Sequence, residues 1–161
     1  MQERPPSKIK TILLSGFVAG TLDLLTAILV HSIILKQVTA IRLLQSIASG
    51  IFKNKAYDGG IEMALYGVLF HYCITFSFAI FFFYIFRHIP FLKKQTTLSG
   101  ILYGLFVWAV MNLIVLRLVF TRLSPLTLES FMISAGILIF MIGIPISWIT
   151  YRYYSSKNII A

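Results

Sequence analysis

The run "TILLSGFVAGTLDLLTAILVHSIIL", Thr11 to Leu35, holds only two ionisable side chains, Asp23 and His31. A helix rises about 1.5 Å per residue and the hydrocarbon core of a bilayer is about 30 Å thick, so roughly 20 apolar residues make a span. The run is long enough to cross. Three more segments meet the same requirement: Glu62 to Phe86, Thr97 to Val119 and Ser130 to Tyr151. With 58% hydrophobic and 12% charged residues, the composition departs from that of a water-soluble domain, where charged residues make up about a quarter. The expected fold is an all-α membrane protein, a single domain over residues 1–161 with four transmembrane helices in an antiparallel bundle.

Between the first two spans lies "KQVTAIRLLQSIASGIFKNKAYDGG", Lys36 to Gly60. At 100° per residue Arg42, Gln45, Ser46, Ser49 and Lys53 fall on one side, and Ile41, Leu44, Ile47, Ala48, Ile51 and Phe52 on the other. This predicts an amphipathic helix over about 38–53, lying in the membrane surface or tucked against the bundle as a short re-entrant piece. Asp58 and the two glycines after it supply the turn into the second span. Pro90 interrupts the second connection, and Pro125 ends any helix running through the third.

The formal net charge of +9 does not point to nucleic acid, because the Lys and Arg residues cluster at the ends of the apolar runs rather than forming a groove with interleaved aromatics. With four spans both termini share a side. That side collects Arg4, Lys8, Lys10, Arg87, Lys93, Lys94, Arg152 and Lys157, against Lys36, Arg42, Lys53, Lys55, Arg117 and Arg122 on the other. Eight against six, with the compact loop "RHIPFLKK" on the larger side, predicts cytoplasmic termini. The apolar run of the first span continues far past signal-peptide length, so a retained first helix is expected. Cys73, the only cysteine, lies inside the second span and is expected to be a buried free thiol.

Helices in lipid associate through small residues and polar contacts. Gly16, Gly20, Asp23, Ala27 and His31 fall within an arc of about 80° on one face of the first span. Gly60, Ala64, Gly67, His71 and Thr75 repeat the spacing in the second. Gly100 and Gly104 begin a row in the third that continues to Trp108 and Asn112, and the fourth has Gly136, Gly143 and Ser147. The expected packing contacts are therefore Gly16, Gly20, Gly67, Gly100, Gly104, Gly136 and Gly143.

Ionisable groups inside a membrane are candidates for a functional site by default, since a carboxylate near the bilayer centre costs roughly 2.5 to 3.5 kcal/mol. The candidate polar site is Asp23, His71, Asn112 and His31. Asp23 stands twelve residues before Leu35 and His71 nine after Glu62. In antiparallel neighbours they differ in depth by three residues, about 4.5 Å, and are expected to face each other as a hydrogen-bonded unit. Asn112 is the next partner for Asp23. No HExxH, cysteine pair or carboxylate cluster calls for a metal or cofactor.

The segments "GTLD" (Gly20–Asp23), "KAYDGGIEMALYGVLFHY" (Lys55–Tyr72), "GILYGLFVWAVMNLIVL" (Gly100–Leu116) and "GIPIS" (Gly143–Ser147) together resemble a group of small, uncharacterised four-span bacterial inner-membrane proteins. The second and third spans are more distantly similar to the YagU family. The third span of that group tends to end in Leu-Pro, where this chain has Leu116 and Arg117. The resemblance implies a four-span inner-membrane fold and no particular activity or cofactor.

Three functions fit these observations. The first is a non-enzymatic envelope or accessory protein, with the bilayer, a second copy or another membrane protein as its partner. The second is a small dimeric proton-coupled transporter or channel using Asp23. The third is an intramembrane enzyme or a haem protein with histidines on facing helices.

Overall fold

The computed structural model of the chain describes residues 7–120 and 125–156, leaving the basic residues Arg4, Arg122 and Lys157 outside the described residues. The described residues form helices and no strand. Four helices are long and apolar enough to cross a membrane: α1 (Lys8–Ile34), α3 (Gly60–Phe86), α5 (Thr96–Val119) and α6 (Leu128–Ser156). Two shorter ones, α2 (Ala40–Phe52) and α4 (Pro90–Lys94), lie in the connections.

The helix starts follow from capping chemistry. Ser7, Thr39 and Thr127 stand in extended backbone before α1, α2 and α6, and each hydroxyl accepts a hydrogen bond from the amide three residues on, Lys10, Arg42 and Ser130. These bonds satisfy donors that a helix start otherwise leaves free. Gly60 begins α3 with φ +56°, a conformation that costs a side-chain-bearing residue more than glycine. Pro90 takes the first position of α4, where its missing N–H costs nothing.

The small-residue faces meet other helices closely. A Cβ built on Gly16 runs into the Phe76 ring, and one on Gly20 lies 3.0 Å from Tyr72 and 3.4 Å from Thr75. Position rises along α1 as it falls along α3. Gly100, Gly104 and Gly143 form a backbone-to-backbone contact between α5 and α6: a Cβ on Gly100 would lie 2.8 Å from the Ile144 Cα, and one on Gly143 2.7 Å from the Gly104 nitrogen. Gly67 lies against the Leu44 backbone, seating α2 on α3. Gly136 is different. A Cβ there meets nothing within 4 Å, so Gly136 is not a close contact.

The physical reason is a change of helical winding. Residues Ile139–Gly143 form a π-helical segment, as do Leu29–Ile34 in α1 and Val110–Val115 in α5. In a uniform α-helix Gly136 and Gly143 share a face, but a π segment accommodates one extra residue and rotates the two flanking stretches of helix by roughly 100° relative to each other. The segment stands just before Pro145, where the α-helical ladder lacks a donor.

The core is aromatic. Phe82, Phe83 and Phe86 of α3, Ile146 and Tyr153 of α6 and Val107 of α5 are almost wholly buried, with Tyr103 packed against Phe82 at a centroid distance of 4.4 Å. These residues lie toward the end of the molecule that carries both termini. Leu13, Leu14, Phe17, Leu65, Leu69, Leu102 and Phe140 are exposed, a belt of apolar side chains unlike the surface of a water-soluble domain.

α2 departs from a simple polar-out, apolar-in arrangement. Gln45, Ala48 and Ser49 are buried, and Ile41 and Ile51 are exposed. Gln45 donates to the Gly60 carbonyl at 2.9 Å, giving a reason for a polar side chain to turn inward. Cys73 is exposed rather than buried, on the flank of α3 beside α2.

Candidate intramembrane polar site

Asp23 on α1 and His71 on α3 stand side by side, each largely buried, with 4.0 Å between the His71 Nε2 and an Asp23 carboxylate oxygen. That is the outer limit of ion pairing and too long for a hydrogen bond. The His71 hydrogen bond goes elsewhere, to the Gly20 carbonyl at 2.9 Å. A carbonyl only accepts, so Nε2 donates and the proton position on the ring is fixed by its partner. This corrects the expected hydrogen-bonded pair: the absent side chain of Gly20 leaves its backbone open, and the imidazole takes the carbonyl one turn before the carboxylate.

The immediate surroundings come from the same two helices. Thr21 and Tyr72 share a 2.8 Å hydroxyl contact across the α1–α3 interface. The His71 ring meets Tyr72 edge-on at 5.7 Å, and Phe17 stacks on Tyr72 at 5.8 Å. Thr75 closes the lower side, donating to the His71 carbonyl at 2.9 Å. The Asp23 carboxylate accepts no hydrogen bond from any described residue. It keeps capacity for a proton or a polar solute.

The other two candidates are not part of this cluster. His31 is eight residues from Asp23 along α1, about 12 Å, and pairs through Nδ1 with the Gln37 side-chain oxygen at 3.0 Å. Asn112 donates to the Trp108 carbonyl of its own helix at 3.1 Å. Trp108 in turn donates to the Ser134 hydroxyl at 2.8 Å, tying α5 to α6.

Several polar contacts between helices were not singled out from sequence. Tyr103 donates to the Phe78 carbonyl at 2.6 Å, Ser147 to the Thr96 carbonyl at 2.8 Å and Tyr154 to the Phe83 carbonyl at 3.1 Å. All three use backbone acceptors, which carry no residue signature, so only the donors were available as a signal. Thr21 and Tyr72, at fixed offsets from Gly20 and His71, were the pair most open to detection. Among the described residues no three His, Cys, Asp or Glu side chains gather in metal-binding geometry.

No family model, no curated protein and no solved structure matches the chain.

Proposed function

We propose that the protein is a non-catalytic accessory protein of the bacterial inner membrane, an antiparallel bundle of four spans with both termini cytoplasmic and α2 at the opposite surface. The observation that supports it best is how the spans use their facing surfaces. Gly100, Gly104 and Gly143 bring α5 and α6 into backbone contact, and Phe82, Phe83, Phe86 and Ile146 fill the centre at the terminal end. Residues committed to packing are what a protein that works as a membrane-embedded body needs. The resemblance to small four-span inner-membrane proteins agrees with this reading.

A second reading, a dimeric proton-coupled transporter, is favoured by the Asp23 carboxylate beside His71 with unused hydrogen-bonding capacity. Proteoliposomes separate the two. The accessory reading expects no solute uptake driven by a pH gradient across a broad panel. Uptake that disappears in Asp23→Asn would overturn it in favour of the transporter.

A further inference from the structure

Two cavities meet along one side of α2. The first is an apolar cleft of about 380 Å³ between α2, α3 and the end of α5, reaching from Val119 and Phe120 to Cys73 and Met111. The second, about 550 Å³, is bordered by the polar side chains of His31, Gln37, Arg42 and Tyr57 together with Val38 and Leu43. Ser46 lines both. On α2, Arg42, Ser46 and Gly50 recur at four-residue spacing and form one stripe that joins the two cavities, with Ile47 and Ile51 bordering the apolar one. The two cavities are the polar and apolar ends of a single groove.

Arg42 is held ready at the polar end. It donates to the Tyr57 carbonyl at 2.8 Å and the Gln45 side-chain oxygen at 3.3 Å through one terminal nitrogen, and its guanidinium carbon sits 5.0 Å from the Tyr57 ring centroid. Among the described residues no carboxylate pairs with it, so its remaining N–H groups face outward with their charge uncompensated. Lys36, Lys53, Lys55 and Arg117 belong to the same end of the molecule, against Asp58, Glu62 and Glu129. At the other extreme, Cys73 lies thirteen residues into α3, about 20 Å along its axis and therefore deep in the hydrocarbon layer.

A ligand matching this groove has an anionic head at the membrane surface and a long apolar chain running inward. We propose that the groove holds one anionic glycerophospholipid of the surrounding leaflet, its phosphate on Arg42 and one acyl chain in the cleft. The fixed guanidinium supplies the preference for negative charge, and the cleft supplies the requirement for a chain. The proposal needs only that the protein sits in a bilayer. A folded four-span protein without this lipid preference would overturn the site and leave the accessory reading intact.

Native mass spectrometry of the full chain in mild detergent tests it, with phosphatidylglycerol and phosphatidylethanolamine as competing probes. One phosphatidylglycerol should be retained per chain, favoured by about fivefold, the scale of one basic contact at a membrane surface. Arg42→Gln should bring the two lipids to parity. Gly50→Leu should weaken binding of both, because the new side chain enters the cleft toward Val119, whose methyls lie 3.8 Å from a Cβ at that position. Lys94→Gln, on α4 at the other end, should change nothing. Equal binding of the two lipids by the native chain, or an unchanged preference in Arg42→Gln, would overturn the proposal, as would equal stabilisation by inorganic phosphate alone. Should Arg42→Gln fail to fold, phosphatidylglycerol with a diazirine in its acyl chain answers on the native chain. Adducts at Cys73 or at Met111–Phe120 are expected, and adducts confined to the outer faces around Leu13 and Leu102 would refute the site.

Discussion

At the scale of single residues, the cluster around Gly20 shows how a membrane interior distributes hydrogen bonds. His71 sits beside an acid, yet its donor goes to a backbone carbonyl bared by glycine. Interaction with Asp23 is then electrostatic at 4.0 Å, with no shared proton. A double-mutant cycle of Asp23→Asn and His71→Ala, followed by thermal unfolding in detergent at two pH values, should give a coupling of about 0.6 kcal/mol, the usual size for polar pairs in membranes. Strict additivity at both pH values would show that the two are neighbours without interaction. His71→Ala alone should cost more than Asp23→Asn, since it also removes the bond to Gly20.

At the scale of elements, the glycine rows make a contrast that one measurement can read. Gly104→Leu forces a side chain into the Ile139 backbone, and close backbone contacts relax poorly, so a loss of roughly 2 kcal/mol or more is expected. Gly136→Leu meets open space and replaces a poor helix former by a good one, so it should be neutral or slightly stabilising. Unfolding in detergent of the two variants side by side checks both. Gly67→Leu should release α2 from α3, because the clash is with the Leu44 main chain, which cannot step aside as a side chain can. Exchange of the amides in Ala40–Phe52 should rise in that variant while those of α5 stay protected.

Much of this was legible in the sequence, and the limits have definite causes. Four apolar runs locate four helices, because length and hydropathy alone decide what spans a bilayer. Their ends are less visible. α1 begins at Lys8, ahead of the apolar run, because Ser7 caps it, and α6 continues to Ser156 because Tyr153 and Tyr154 pack on Phe83 despite the intervening Arg152. Proximity of Asp23 and His71 could be had by counting residues in facing helices. Their actual bonding depended on a carbonyl, a group every residue possesses. The changes of winding in α1 and α5 carry no residue signature, whereas the one in α6, which moved Gly136 off its expected face, stands just before Pro145.

For the whole molecule, orientation is the property with the largest consequences and a single decisive measurement. In a Cys73→Ser background, cysteines placed at Ser7 and Ser156 should resist an impermeant thiol reagent in intact cells, and one placed at Lys55 should react. Labelling at Ser7 and Ser156 would reverse the orientation and move the Arg42 groove to the cytoplasmic leaflet.

The π-helical turns in α1, α5 and α6 have a consequence for how the gene can change. Each holds a residue in excess of the regular repeat, so losing one residue there restores ordinary winding, whereas losing one from the uninterrupted α3 swings everything beyond it out of register. Deleting Ile114 should therefore leave a folded protein. Deleting Leu69 should not, because Phe82, Phe83 and Phe86 would turn away from their pockets. Expression and monodispersity of the two deletions compare them directly. Length variation among relatives, where it falls within a span, should concentrate at the three wide turns and spare α3.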